Sequence, residues 1–115
     1  MTIVERVSRD VAILDIEGRI TLGESVEELQ NAVQGLLRAG RKKILLNLER
    51  VPYIDSSGLG RVLGLKKAAL MARADVKLLR PRGKVYGVLV DTSLVKVFEC
   101  FEAEASAIES FHTSS

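Results

Sequence analysis

Tryptophan is absent from this chain of 115 residues, and aromatic residues make up only 4% of it. Any core must therefore be aliphatic, built from Leu, Val, Ile and Ala. A single cysteine, Cys100, excludes an intramolecular disulfide and removes the need for an oxidising compartment. With no second thiol to resolve an oxidised one, it reads as packing between Phe98 and Phe101. The one histidine, His112, falls in a C-terminal stretch expected to fray. The Gly-x-Ser-x-Gly elbow is also missing, which leaves a Ser-His-Asp hydrolase without its parts. No phosphate-binding loop is present, because Gly58-Leu59-Gly60-Arg61 has neither the spacing nor the lysine. Metal-ligand spacing is absent. No apolar run approaches the length of a bilayer span, and Met1 to Arg6 does not read as a secretory signal. Basic and acidic residues number 17 and 15, a formal net charge of +2. That balance is too even to indicate nucleic acid or an anionic membrane as the partner. The expectation is a cytoplasmic domain without catalytic residues, metal or cofactor.

What the chain does have is a 47% apolar fraction with 28% charged residues, ordinary for a soluble domain. At this length about two-thirds of the unfolded surface is buried on folding. Ile3–Val7 and Val11–Ile16 are β-rich runs joined by Ser8-Arg9-Asp10, a hairpin pattern. Val26, Leu29, Val33 and Leu36 then trace one helical face, a core stripe. Thr21 with Glu24 and Ser25 with Glu28 both have capping-box spacing, and both starts stay open; Gly40 supplies the stop. Lys43–Leu48 is a nearly continuous apolar run, as for a strand covered on both faces. A second helix runs from about Ser57 to Ala72, with Leu59, Val62, Leu63 and Leu70 inward. Val76–Leu79 reads as a strand and Lys84–Val90 as a helix with Val85, Val88 and Leu89 inward. Val95–Phe101 reads as a short strand and Ala103–Phe111 as a last helix. The basic cluster Arg80-Pro81-Arg82-Gly83-Lys84 reads as a solvated loop. Residues 1–112 make one domain and 113–115 a frayed tail. This alternation implies an α/β fold with a mixed, mostly parallel sheet of four to five strands, about four helices and an N-terminal β-hairpin.

The informative segment is Asp55-Ser56-Ser57-Gly58, at the junction of a buried strand and a helix. Asp and Ser are good N-caps, whereas Gly58 and Gly60 are costly inside a helix and suggest a need for close backbone approach. A serine here is exposed at the end of the sheet, on the positive end of a helix dipole. A phosphate on it would meet free N–H groups, with the Asp55 charge opposing it. The same residues also read as a well-capped helix start and nothing more. The residues alone permit a switch without requiring one.

Ile44-Leu45-Leu46-Asn47-Leu48-Glu49, then Val51, then Tyr53 through Gly60, resembles the signature of the STAS family, nearest the bacterial anti-sigma factor antagonists. Gly18 to Gly23, Val76 to Leu79, Val85 to Leu89 and Leu94 to Phe98 also match the family layout, so the similarity covers nearly the whole chain. The resemblance implies a phosphorylation-gated binding protein, not an enzyme. Ser56 is then the phospho-acceptor, with Ser57 the second choice. Asp55, Ser57, Gly58, Leu59, Gly60, Arg61 and Thr21 would meet the partner, Gly58 and Gly60 by permitting close docking. That partner is an anti-sigma factor that is also a serine kinase, held while Ser56 is free and released once it is phosphorylated. A PP2C-type, metal-dependent phosphatase resets the switch, and ATP and metal belong to those proteins. The chain itself is expected as a monomer or weak dimer. It departs from the family at Thr21, where many members carry Asp, at Arg61, and at Arg73-Ala74-Asp75, which lacks a glycine pair. The alternative role for the same fold is a non-switching scaffold or accessory subunit, in a stress-sensing assembly or a lipid-transporter complex.

Overall fold

The computed structural model describes residues 1–112; the tail expected at 113–115 lies outside the described residues. Strands β1 (Thr2–Ser8) and β2 (Val11–Glu17) form the antiparallel hairpin. Ser8 pairs with Val11, so the turn is Arg9-Asp10 alone and Ser8 joins the strand. Helix α1 (Glu24–Arg38), β3 (Lys43–Arg50), α2 (Ser56–Met71), β4 (Asp75–Leu79), α3 (Gly83–Asp91), β5 (Cys100–Phe101) and α4 (Glu104–Ser110) follow. The sheet order is β1-β2-β3-β4-β5, with every pair after the first parallel.

The two-residue period of the strands divides the core. Ala12, Leu14 and Ile16 of β2, Ile44, Leu46 and Leu48 of β3, and Val76 and Leu78 of β4 face one side. There they pack with Val26, Leu29, Val33 and Leu36 of α1, Leu59, Val62, Leu65 and Ala69 of α2, and Val85 and Leu89 of α3. The alternate residues Val11, Ile13, Leu45 and Leu79 meet Ala107, Ile108 and Phe111 on the other side, under α4. Coverage on both faces is why β3 reads as an unbroken apolar run.

Four expectations are corrected. Neither capping box forms at α1: its N-cap is Gly23, with no side-chain cap. The Ser25 hydroxyl is already engaged, accepting from the Thr21 N–H at 3.2 Å and donating to the Thr21 carbonyl at 3.1 Å. Leu70 is exposed, at 54%. It falls in the last turn of α2, after Ala69, the last residue of that helix to be buried. The strand expected at Val95–Phe101 shrinks to Cys100–Phe101, because Leu94–Lys96 coil into a 3₁₀ turn. The Phe98 N–H donates to the Leu94 carbonyl at 3.0 Å, a helical step that sends Phe98 into the core. Finally, His112 does not fray. Its Nδ1 lies 2.8 Å from the Ile108 carbonyl and its Nε2 bonds the Asp10 carboxylate at the hairpin turn.

Gly40 does end α1, at φ +85°. The Arg41 N–H bonds the Leu36 carbonyl and the Gly40 N–H bonds the Leu37 carbonyl, each at 3.0 Å, the Schellman arrangement. At the end of α2 the same pattern recurs with Arg73 in the left-handed position, φ +61°.

Candidate functional site

The Asp55-Ser56-Ser57-Gly58 turn sits at one end of the sheet, where β3 has run out and α2 begins. Two backbone bonds fix it against the segment after β2. The Ile20 N–H donates to the Tyr53 carbonyl at 3.0 Å and the Asp55 N–H to the Ile20 carbonyl at 3.3 Å. Ile20 and Ile54 form an isolated parallel bridge there, both side chains buried.

Asp55 is the N-cap of α2, in extended conformation. Its Oδ1 accepts the Gly58 N–H at 2.7 Å and its Oδ2 accepts the Leu22 N–H at 3.2 Å. One carboxylate thus caps the helix and holds the Thr21–Gly23 loop against it, as a capping oxygen satisfies donors that the first turn cannot. Ser56 and Ser57, the first two helical residues, are exposed. Their N–H groups lead the helix, where an α-helix offers no intrahelical acceptor and the field favours negative charge.

Gly58 is buried, and the reason lies within the fold. A Cβ on it would stand 2.2 Å from the Ile20 carbonyl oxygen. The close approach expected of this glycine is thus made by the protein's own backbone. Leu59, at 7% exposure, packs in the core, in keeping with its inward place on the helix. Gly60 and Arg61 are exposed, and the Arg61 guanidinium donates to the Gln30 side-chain oxygen of α1. Thr21 is half-buried, its hydroxyl 3.5 Å from that of Ser25. The structure so brings Thr21, Ser56, Ser57, Gly60 and Arg61 to one end of the molecule around Asp55.

Two neighbours were not singled out in the sequence. Leu22 is 73% exposed on the loop that Asp55 holds, and Tyr53 is 41% exposed just before the turn. Tyr53 lines a recess with Arg19, Pro52 and Lys84. An apolar residue between a threonine and a glycine carries no periodicity to mark it, so Leu22 shows itself only in three dimensions.

The strongest perturbed charges lie elsewhere, on the α4 side of the sheet. Arg6 bonds Asp15 (Nε to Oδ2, 2.6 Å) and Glu104. Its guanidinium holds both carboxyls below the usual carboxylate range. Burial pushes the Cys100 thiol up, the direction of an unreactive thiol. Among the described residues no His, Cys, Asp and Glu gather as metal ligands, and no helix is long and apolar enough to cross a membrane.

A family model described as the STAS domain matches residues 2–107. A solved structure of a candidate anti-sigma factor antagonist from Thermotoga maritima is 27% identical, covering 94% of this chain and 92% of its own, with a TM-score of 0.86. The anti-sigma factor antagonist SpoIIAA in its unphosphorylated form is 20% identical over 98% of this chain and 100% of its own, TM-score 0.72. The Bacillus cell-fate determinant SpoIIAA in its phosphorylated form is 23% identical over 96% and 99%, TM-score 0.73. These last two matches speak for the fold alone.

Proposed function

The chain belongs to the STAS domain family, and from that premise we propose that it is an anti-sigma factor antagonist, a phosphorylation-gated binding switch acting in the cytoplasm. In this reading it holds an anti-sigma factor with serine-kinase activity while Ser56 is free, and releases it once Ser56 carries a phosphate. A PP2C-type phosphatase returns it to the binding form. The observation that carries the proposal is the placement of Ser56: exposed, first in α2, beside an Asp55 whose carboxylate is committed to the Gly58 and Leu22 amides. A kinase can reach such a hydroxyl without unfolding anything.

The physical account follows from that position. Phosphorylation adds about −1.5 to −2 charges where the helix N-terminus tolerates them, so the fold survives the modification. A partner surface fitted to a neutral hydroxyl meets instead a charge that it must desolvate or repel. Such a mismatch costs a few kcal/mol, and about 1.4 kcal/mol is tenfold in affinity. Asp55 is a positioning residue, while Thr21, Ser57, Gly60 and Arg61 form the contact surface with Ser56. The chain performs no chemistry of its own; the transferred phosphoryl group comes from the ATP that the kinase binds.

The test is mass spectrometry of the chain after incubation with magnesium, ATP and the purified kinase partner, comparing wild type, Ser56→Ala and Ser57→Ala. A single phosphate lost only in Ser56→Ala is expected. A chain that binds the partner tightly and takes no phosphate on either serine would overturn the switch and favour a scaffold or accessory subunit.

A further inference from the structure

The charges around Ser56 say what kind of surface the partner brings. Arg19 and Lys84 line the recess beside Tyr53, and Arg61 stands one helical turn beyond Ser57; all three are exposed. Among the described residues none of the three has a carboxylate within 4.0 Å, whereas Arg80 and Arg82, close to Lys84 in the chain, are paired with Glu49 and Glu102. The carboxylate at the centre of the site, Asp55, is spent on two backbone amides. The exposed Glu24 and Glu27 belong to the first turn of α1, where they complement that helix's own dipole, and among the described residues they too have no ion-pair partner within 4.0 Å. Tyr53 is exposed in the same recess as Arg19 and Lys84, and Leu22 is exposed on the loop that Asp55 holds. The recess before the turn thus sets an exposed aromatic ring beside two cations that no carboxylate neutralises, with a third, Arg61, further along α2.

Resting on the switch reading above, we infer that the partner docks an apolar spot flanked by carboxylates, its Asp or Glu side chains pairing with Arg19, Arg61 and Lys84. An acidic partner also explains why phosphate releases it. The phosphate repels the incoming carboxylates and supplies these cations with an anion from the chain itself, so the partner loses both attraction and counter-charge. A basic partner would be drawn closer by the same modification.

The experiment is calorimetric titration of the purified kinase partner with the whole chain, at low and at high salt. The variants are Arg19→Glu, Arg61→Glu and Lys84→Glu, with Lys67→Glu, an exposed reversal further along α2, as control. All are surface changes, and unchanged melting temperatures verify their folding. Each of the first three reversals is expected to weaken binding at least tenfold and Lys67→Glu less than twofold, with wild-type affinity falling as salt rises. Reversals at those three cations that leave binding unchanged or tighten it, while Ser56→Glu abolishes it, would overturn the acidic partner surface and leave the switch standing. If Ser56→Glu binds like wild type, the switch falls instead. A chain that binds no kinase partner overturns both.

Discussion

The Asp55 carboxylate accepts a hydrogen bond from the Leu22 N–H at 3.2 Å, across a separation of 33 residues, while its other oxygen caps α2 at Gly58. One side chain therefore sets the spacing between the loop after β2 and the helix that carries Ser56. Asp55→Ala is expected to cost about 1–2 kcal/mol in denaturant unfolding, the usual loss for an N-cap. In amide hydrogen exchange the added signature is faster exchange at Leu22 as well as at Gly58. Exchange that speeds up at Gly58 alone would mean the loop is held by other contacts.

The glycines of α2 divide by their surroundings. A Cβ at Gly58 would lie 2.2 Å from the Ile20 carbonyl oxygen, whereas one at Gly64 meets nothing within 4 Å. Gly58→Ala must push α2 off the Ile20 backbone and is expected to destabilise by about 1–3 kcal/mol, as overpacking does. Gly64→Ala gains helix propensity and is expected to stabilise by about 0.5–1 kcal/mol. Chemical denaturation of the two single variants reads the opposite signs directly.

Arg73 closes α2 at φ +61°, a conformation that costs an L-residue about 1–2 kcal/mol and glycine nothing. Its N–H still completes the terminal pattern, bonding the Leu70 carbonyl at 3.0 Å. Arg73→Gly is expected to raise stability by up to about 1 kcal/mol, the gain being partly offset by the greater freedom of glycine in the unfolded chain. A melting temperature unchanged or lowered would show that the arginine side chain makes up for the strain.

Acid should weaken the strap of α4 over the sheet. Hydrogen bonds from Arg6 lower the carboxyls of both Asp15 and Glu104. A carboxyl lowered in the folded state contributes stability above its unfolded value, and that contribution is lost as pH falls through the folded value. The melting temperature is thus expected to drop on acidification below about pH 4, the ordinary carboxylate range. Arg6→Gln should flatten that drop. It should not abolish it, because Asp10 is lowered as well, by Lys43 first and then His112. The groups are partly exposed, so added salt should shrink the effect.

Much of this fold is legible in local pattern. The alternation in β2, the unbroken run in β3 and the stripe of α1 each report their own burial, and Asp55-Ser56-Ser57-Gly58 announces a helix start. What is not legible depends on partners far along the chain. Gly58 signals a close backbone approach without saying that Ile20 makes it. His112 looks like tail until Asp10, 102 residues away, is seen to hold it. Lys66 and Lys77 would pass for surface residues, yet both are buried. Asp75 takes the Lys66 ammonium at 2.5 Å, and Phe111 lies 4.5 Å beneath that of Lys77. The cap of α1 fails as a sequence inference for a local reason, since Ser25 bonds Thr21 backward and leaves nothing for the helix.

The most direct measurement for the switch is the affinity of the purified kinase partner for the chain before and after stoichiometric phosphorylation, with the modified serine mapped in the same sample. The account expects tight binding of the unmodified chain and a loss of at least tenfold with phosphate on Ser56, restored by phosphatase treatment. Equal affinity of the two forms, with Ser56 fully phosphorylated, would contradict it.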